Sequence, residues 1–326
     1  MSTIKWGILA TGGIAATFTE DLKLLPDAEV VAVGSRSIGS AQAFADRHGI
    51  PRAHGTWAEL AADPEVDIVY VATPHSAHYD AVTTCLNAGK AVLCEKPFTL
   101  DRARAAELVD LARERGLFLM EAMWMRCNPA IRRLVELVRE GALGPVDTVH
   151  ADFGISVEVG PGHRLRDPAL GGGALMDLGV YPVSFAHMLL GAPERVQSWA
   201  RLTPEGVDEN TGMLFGYADG AVAMLSCGIT THSPVTASVS GPLGRIELPH
   251  LFFRPEAFTL YRTDGEPETF QVPFDGNGMN HEAAEAMRCL REGLLESPLV
   301  PWRSTLEVMG ILDEVRAQAG VRFPGE

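Results

Sequence analysis

From residue 4 to residue 121 the chain alternates short apolar runs with segments whose apolar residues recur at helical spacing, and few folds accept that rhythm. The strand candidates are 4–10, 30–34, 67–72, 91–94 and 118–121, with helix candidates at 14–25, 40–48, 78–88 and 103–115. The runs are rich in Val, Ile and Ala and show little polar–apolar alternation, as strands covered on both faces do. Strand and helix in steady succession predict an α/β domain with a doubly wound parallel sheet. Ligands of such sheets lie beyond the carboxyl ends of the strands, so the chemistry is expected there.

After Asn128-Pro129 and a helix at 130–140 the texture changes. Segments 146–159, 195–202, 212–217, 221–228, 236–240 and 257–262 read as longer strands, several joined by tight-turn dipeptides such as Asp219-Gly220 and Asp264-Gly265. Turns that short join antiparallel strands. Helices are expected at 174–190, 281–295 and 305–319. The second domain is thus expected to be α+β, a mostly antiparallel open sheet with helices on one face. The expected division is 1–123 for nucleotide binding and 124–326 for substrate binding and oligomerisation, with the last helix, about 305–319, free to pack back on the first domain.

Charge narrows the partners. With 42 acidic against 27 basic side chains the formal charge is −15, a field that repels phosphate backbones and argues against nucleic acid. The five cysteines are widely spaced, with no C-x-x-C pair, and no His/Asp/Glu cluster has metal-ligand spacing. Reduced thiols, no metal and a cytoplasmic location are expected. No uninterrupted apolar run approaches the roughly 20 residues of a membrane helix, so no membrane partner is expected.

The turn after the first strand carries the cofactor signal. Ala10, Thr11, Gly12, Gly13 and Ile14 open a helix, and on the dinucleotide fingerprint Ala10, Gly12 and Ala15 take the three glycine positions. Gly12 lets the backbone approach a pyrophosphate at the positive end of that helix. The second strand ends in Ser35-Arg36 with no acid to bind a ribose 2′-hydroxyl, and Arg36 instead suits a 2′-phosphate. NADP is favoured, with NAD left open, on a Rossmann domain.

Two further segments point to catalysis. The fourth strand candidate ends in Glu95-Lys96-Pro97, a charged pair stopped by proline where the ligand crevice belongs. In Gly171–Tyr181, Asp177 and Tyr181 stand four apart and share a helix face, although Pro182 should kink that helix. Hydride chemistry at a carbon–oxygen bond needs a proton carrier on the oxygen. Tyr181 is assigned that role, Lys96 is the ammonium that lowers its pKa, and Asp177 holds a substrate hydroxyl and helps orient Lys96. Tyr181 and Lys96 can exchange roles, since a desolvated lysine also carries protons. Trp124 and Arg126, after the last strand of the first domain, either line the substrate pocket or pack the domain. Arg164 and Arg166 stay open as anion-binding candidates.

Together, Glu95-Lys96-Pro97, the segment Thr73-Pro74-His75-Ser76-Ala77-His78, and Gly171–Tyr181 resemble the Gfo/Idh/MocA oxidoreductase family over essentially the whole chain. Tyr181, with the segment 120–126, is most like the branch of dimeric dihydrodiol dehydrogenases and NADP-dependent xylose dehydrogenases. The resemblance implies an oxidoreductase acting on a sugar, cyclic polyol or diol. It puts Thr73, Pro74, His78 and Glu95 with Lys96 on the cofactor side. A homodimer or tetramer through the second-domain sheet is expected, because a sheet covered on one face leaves the other to a partner. Two alternatives remain: a nicotinamide-dependent glycoside hydrolase of the same family, and a non-catalytic NADP-binding redox sensor.

Overall fold

Six parallel strands form the first sheet of the computed structural model, which describes residues 2–325. They are β1 (Ile4–Leu9), β2 (Ala28–Gly34), β3 (Arg52–His54), β4 (Ile68–Val71), β5 (Ala91–Glu95) and β6 (Leu119–Ala122), in the order β3-β2-β1-β4-β5-β6. Helices α1 (Gly13–Leu22), α2 (Ile38–His48), α3 (Trp57–Ala61), α4 (His78–Asn87) and α5 (Arg102–Arg115) connect them. Strands β4 and β5 are buried at every position, as their apolar runs, broken only by Glu95 at the end of β5, require. Strand order reverses between β1 and β4, which makes the carboxyl ends of these two the switch point. The short β3 and α3 escape the periodicity reading. The first is three half-buried residues; the second is a single turn set by a capping box between Thr56 and Glu59.

The second sheet has eight strands: β7 (Thr148–Gly154), β8 (Arg195–Leu202), β9 (Asp208–Gly216), β10 (Val222–Gly228), β11 (Ala237–Gly241), β12 (Gly244–Leu248), β13 (Ala257–Arg262) and β14 (Glu268–Gln271). Their order is β14-β13-β12-β11-β7-β10-β9-β8, and every neighbouring pair is antiparallel except β7 with β10. A π-helical turn, Leu175–Gly179, runs into α7 (Val180–Leu190) and packs on one face, over Val149, Ala151, Ala223 and Cys227. Gly179 permits this approach, since a Cβ there would stand 2.8 Å from the Cys227 Sγ. On the opposite face Trp199, Leu214 and Met224 lie side by side at 85%, 44% and 42% exposure. Stretch 168–190 has the length and hydropathy of a membrane span, but it is buried as a core helix is.

The remaining helices are α6 (Pro129–Arg139), capped by the Asn128 side chain, α8 (Asn280–Arg291) and α9 (Trp302–Ala319). The two sheets head two compact units. The first unit is made of residues up to Thr99, Ala103–Cys127 and Asp275–Thr305; the second of Leu100–Arg102, Asn128–Phe274 and the chain from Leu306. This differs from a single division at residue 123. Segment 275–305, including α8, returns to the first unit, and the unit boundary falls inside α9.

A buried carboxylate explains that return. Asp21, near the end of α1, accepts hydrogen bonds from Asn277 N and Nδ2 at 2.9 Å, Met279 N at 2.7 Å and Asn280 N at 3.3 Å. It therefore caps α8 from a distant part of the chain. Gly276 is required here: its φ is +77°, and a Cβ would meet Leu24 and Asp21.

Candidate active site

All six strands of the first sheet run the same way, so the residues that follow them gather along one edge. Ala10–Gly13 follow β1, Ser35 and Arg36 follow β2, Thr73 and Pro74 follow β4, and Lys96 follows Glu95 at the end of β5. Trp124 and Arg126 sit in a short helical turn after β6, both buried.

Helix α1 starts without a side-chain cap at Gly12 and without an acid in its first turn, so neither device answers its first N–H groups and dipole. Among the described residues no contact demands glycine at position 12. Its φ is −78°, and a Cβ there or at Gly13 would meet no atom within 4 Å. Room for a ligand against the backbone is the physical reason that remains. Ala10, at the first glycine position of the fingerprint, holds a φ of +109°, where glycine would be unstrained. Arg36 is exposed, with neither an ion pair nor a hydrogen bond among the described residues. The Thr73 hydroxyl is buried with no hydrogen-bond partner among the described residues. These groups could hold a dinucleotide.

Glu95 fixes the backbone of Lys96. One carboxylate oxygen accepts from the Tyr70 hydroxyl, and the other accepts from Lys96 N at 3.1 Å. Tyr70 is locked in turn by stacking on Phe18, with ring centroids 3.7 Å apart. The Lys96–Pro97 bond is cis. His78 is fully buried, with Nδ1 2.9 Å from Pro97 O and Nε2 2.9 Å from Thr73 O. Burial pushes its pKa below the ordinary histidine value, against the two carbonyl contacts, which favour a protonated ring. His78 thus clamps the chain after β4 to the chain after β5, and its ring offers a ligand no exposed surface.

Beneath this edge lies a group of acids that sequence reasoning did not single out. Glu121, Glu95 and Glu282 are all buried, and neither oxygen of Glu282 has a hydrogen-bond partner among the described residues. Burial, reinforced by Glu95, Asp21 and Glu121, pushes the Glu282 pKa far above the carboxylate range. Burial raises that of Glu121 as well, although Thr305 donates to it at 2.8 Å. Burial therefore favours the protonated form of Glu282.

In the second unit Asp177 and Tyr181 stand on the π-helical turn and the first turn of α7. Pro182 has no N–H to offer the carbonyl four residues back, and the helix widens just before it. Asp208, fully buried, accepts from Leu175 N at 2.8 Å and from Thr211 Oγ1 at 2.7 Å, which pins the start of that turn. Gly173, at a φ of +121°, leaves room for this carboxylate. The Tyr181 ring packs against Phe153 and Phe253, which stack on each other, at centroid distances of 5.5 and 4.9 Å. Arg164 donates to both oxygens of Asp177, at 2.9 and 3.2 Å, whereas Arg166 is committed to Glu205. Asp208 and Phe253 carried no sequence signal. Arg164 was open beside Arg166, and the ion pairs separate the two. Among the described residues no group of His, Cys, Asp or Glu has the arrangement to hold a metal.

Comparison with known proteins agrees with the fold. Residues 4–123 match the model of an oxidoreductase family with an NAD-binding Rossmann fold, and residues 131–247 match the Gfo/Idh/MocA C-terminal domain. The chain is similar to the trans-1,2-dihydrobenzene-1,2-diol dehydrogenases of Macaca fascicularis, at 41% identity, and Homo sapiens, at 40%; the matches span 98% of each chain. Among solved structures it resembles a 3-ketoreductase from Actinomadura kijaniata in complex with NADP and TDP-benzene, at 29% identity and a TM-score of 0.86 over 98% of each chain. It also resembles an aldose–aldose oxidoreductase from Caulobacter crescentus complexed with glycerol, at 26% identity and a TM-score of 0.89 over 98% of each chain. Sequence over its full length, both domain models and fold agree: the chain belongs to the Gfo/Idh/MocA family of NAD-binding oxidoreductases.

Proposed function

We propose that the chain is an NADP-dependent dehydrogenase or reductase acting on a CH–OH or carbonyl group of a sugar, cyclic polyol or trans-diol. The observation that carries this reading is the carboxyl edge of the parallel sheet, where an uncapped helix N-terminus, an unengaged Arg36 and a fixed Lys96 come together. The N–H groups at Gly12 and Gly13, in the turn bounded by Ala10, Thr11 and Ile14, would take the pyrophosphate. Ser35 and Arg36 would take the 2′-phosphate, and no acid stands there to prefer a bare ribose. Thr73, Pro74 and Lys96 would meet the nicotinamide half, with Glu95 and His78 holding their backbone. The bound dinucleotide supplies the hydride acceptor or donor.

The chain's own task is then the proton. Tyr181 is the carrier, and a phenol with an ordinary pKa near 10 is too weak a base at neutral pH. Lys96 is assigned the ammonium that stabilises the phenolate; Asp177 accepts a substrate hydroxyl, and Trp124 and Arg126 shape the substrate side. The names of the relatives support the diol and sugar classes. The exposed patch of Trp199, Leu214 and Met224 supports a homodimer, or a dimer of dimers, built through the second sheet.

A panel of aldoses, inositols and trans-diols, assayed at 340 nm with NADP and with NAD, tests the assignment. Turnover of at least one class with preference for NADP is expected. Glycoside cleavage with retained cofactor and no net absorbance change would replace this reading with the hydrolase. Binding of NADP without turnover of any class would leave the redox sensor.

A further inference from the structure

The loop between β7 and the π-helical turn carries Arg164, and several independent contacts fix its shape. Gly172 N donates to Asp167 O and Gly173 N to Leu165 O, each at 3.0 Å. A Cβ on Gly172 would stand 2.8 Å from Arg164 O and 2.9 Å from Asp167 O, so this glycine lets the loop lie directly on the chain that leads to Asp177. Asp167 caps its own turn through Ala169 N at 2.9 Å, and Leu165 is buried. The backbone on both sides of Arg164 is thereby held.

From that base the guanidinium meets Asp177 as a fork, one Nη on each carboxylate oxygen. The Asp177 side chain is only 8% exposed, while that of Arg164 is 54% exposed. A carboxylate this covered needs a cation, and a two-pronged contact fixes its plane as a single ammonium would not. We propose that Arg164 is a positioning residue for substrate binding: it orients the Asp177 carboxylate so that Asp177 can accept a hydroxyl of the sugar or diol. This rests on the reading of Asp177 as the acceptor of a substrate hydroxyl. Arg164 then acts on substrate affinity and not on the chemical step or on cofactor binding. It also makes Gly172 part of the binding apparatus, because the loop cannot seat without it.

The test compares R164M, R164K and D177N with the wild type on the best substrate of the panel, with NADP affinity measured separately by fluorescence. R164M is expected to raise KM at least about tenfold, the scale of one lost charge-assisted contact, with kcat within about threefold. NADP affinity should stay within about twofold of wild type. R164K keeps the charge without the fork, so its KM should fall between the two; it also serves if R164M does not fold. A wild-type KM in R164M beside a crippled D177N overturns the role of Arg164 alone. A D177N enzyme with wild-type KM overturns the reading of Asp177 and the inference with it. Equal losses of kcat, substrate affinity and NADP affinity in R164M and R164K would mark general damage, which also overturns the assignment.

Discussion

Replacing Asp21 by alanine should loosen α8 while leaving the six-stranded sheet intact. The carboxylate is buried and receives the backbone N–H groups of Asn277, Met279 and Asn280 together with the Asn277 side-chain amide. Without it the fully buried Met279 N–H loses its acceptor, which costs about 1–3 kcal/mol. Asn277 and Asn280 are half-buried and can recover water, so each adds about 0.5–1 kcal/mol. Removing a charge that opposes ionisation of Glu282 returns little, because burial is the main reason that acid favours its protonated form. The net expectation is about 3 kcal/mol, felt first in residues 280–291, the span of α8. Native-state hydrogen exchange reads this directly, since 3 kcal/mol corresponds to roughly a hundredfold faster opening. Amides of β4 and β5 are the internal control, and Asp21→Asn, which keeps one acceptor oxygen, should show about half the effect. Acceleration below about threefold in α8 of the alanine variant would refute the idea that this carboxylate holds the segment.

Two further outcomes follow from charge. Arg36→Ala should lower kcat/KM for NADP at least about tenfold, the scale of one lost charge-assisted contact, and leave NAD within about twofold; equal losses with both cofactors would remove Arg36 from the 2′-phosphate site. Glu282 holds its proton in the folded state to a higher pH than in the unfolded state, so its contribution to stability falls as pH rises above the ordinary carboxylate value. Glu282→Gln stays neutral throughout, so its thermal unfolding temperature should gain on wild type progressively from pH 5 to pH 8. A constant difference across that range would contradict the neutral buried acid.

Local patterns made most of the architecture legible. Strands β8 and β13 begin and end where the sequence pattern puts them, and the parallel sheet follows from apolar runs such as β4 and β5. Strand β12 escapes the reading although Arg245 to Leu248 alternate, because the run is short and Gly244 opens it; β14 is four largely exposed residues with little alternation to detect. The return of 275–305 to the first unit depends on Asp21, and the seating of the π-helical turn depends on Asp208. Each is a polar tie between segments distant in sequence, and such ties leave no periodic trace. The candidate site divides the same way. Glu95-Lys96 and Asp177/Tyr181 stand out as motifs, whereas Tyr70, Phe253 and the Arg164 fork were set by packing that only coordinates reveal. His78 was visible as part of a motif, but its role as a backbone clamp was not.

Proton transfer by the tyrosine is most directly measured as kcat for Tyr181→Phe across pH, alongside the NADP dissociation constant of the same variant. Phenylalanine keeps the ring that packs against Phe153 and Phe253, so only the hydroxyl is lost. Turnover should fall at least about a hundredfold with NADP affinity unchanged, the scale expected for a missing general acid–base group. A variant that turns over at the wild-type rate would show that the phenol moves no proton.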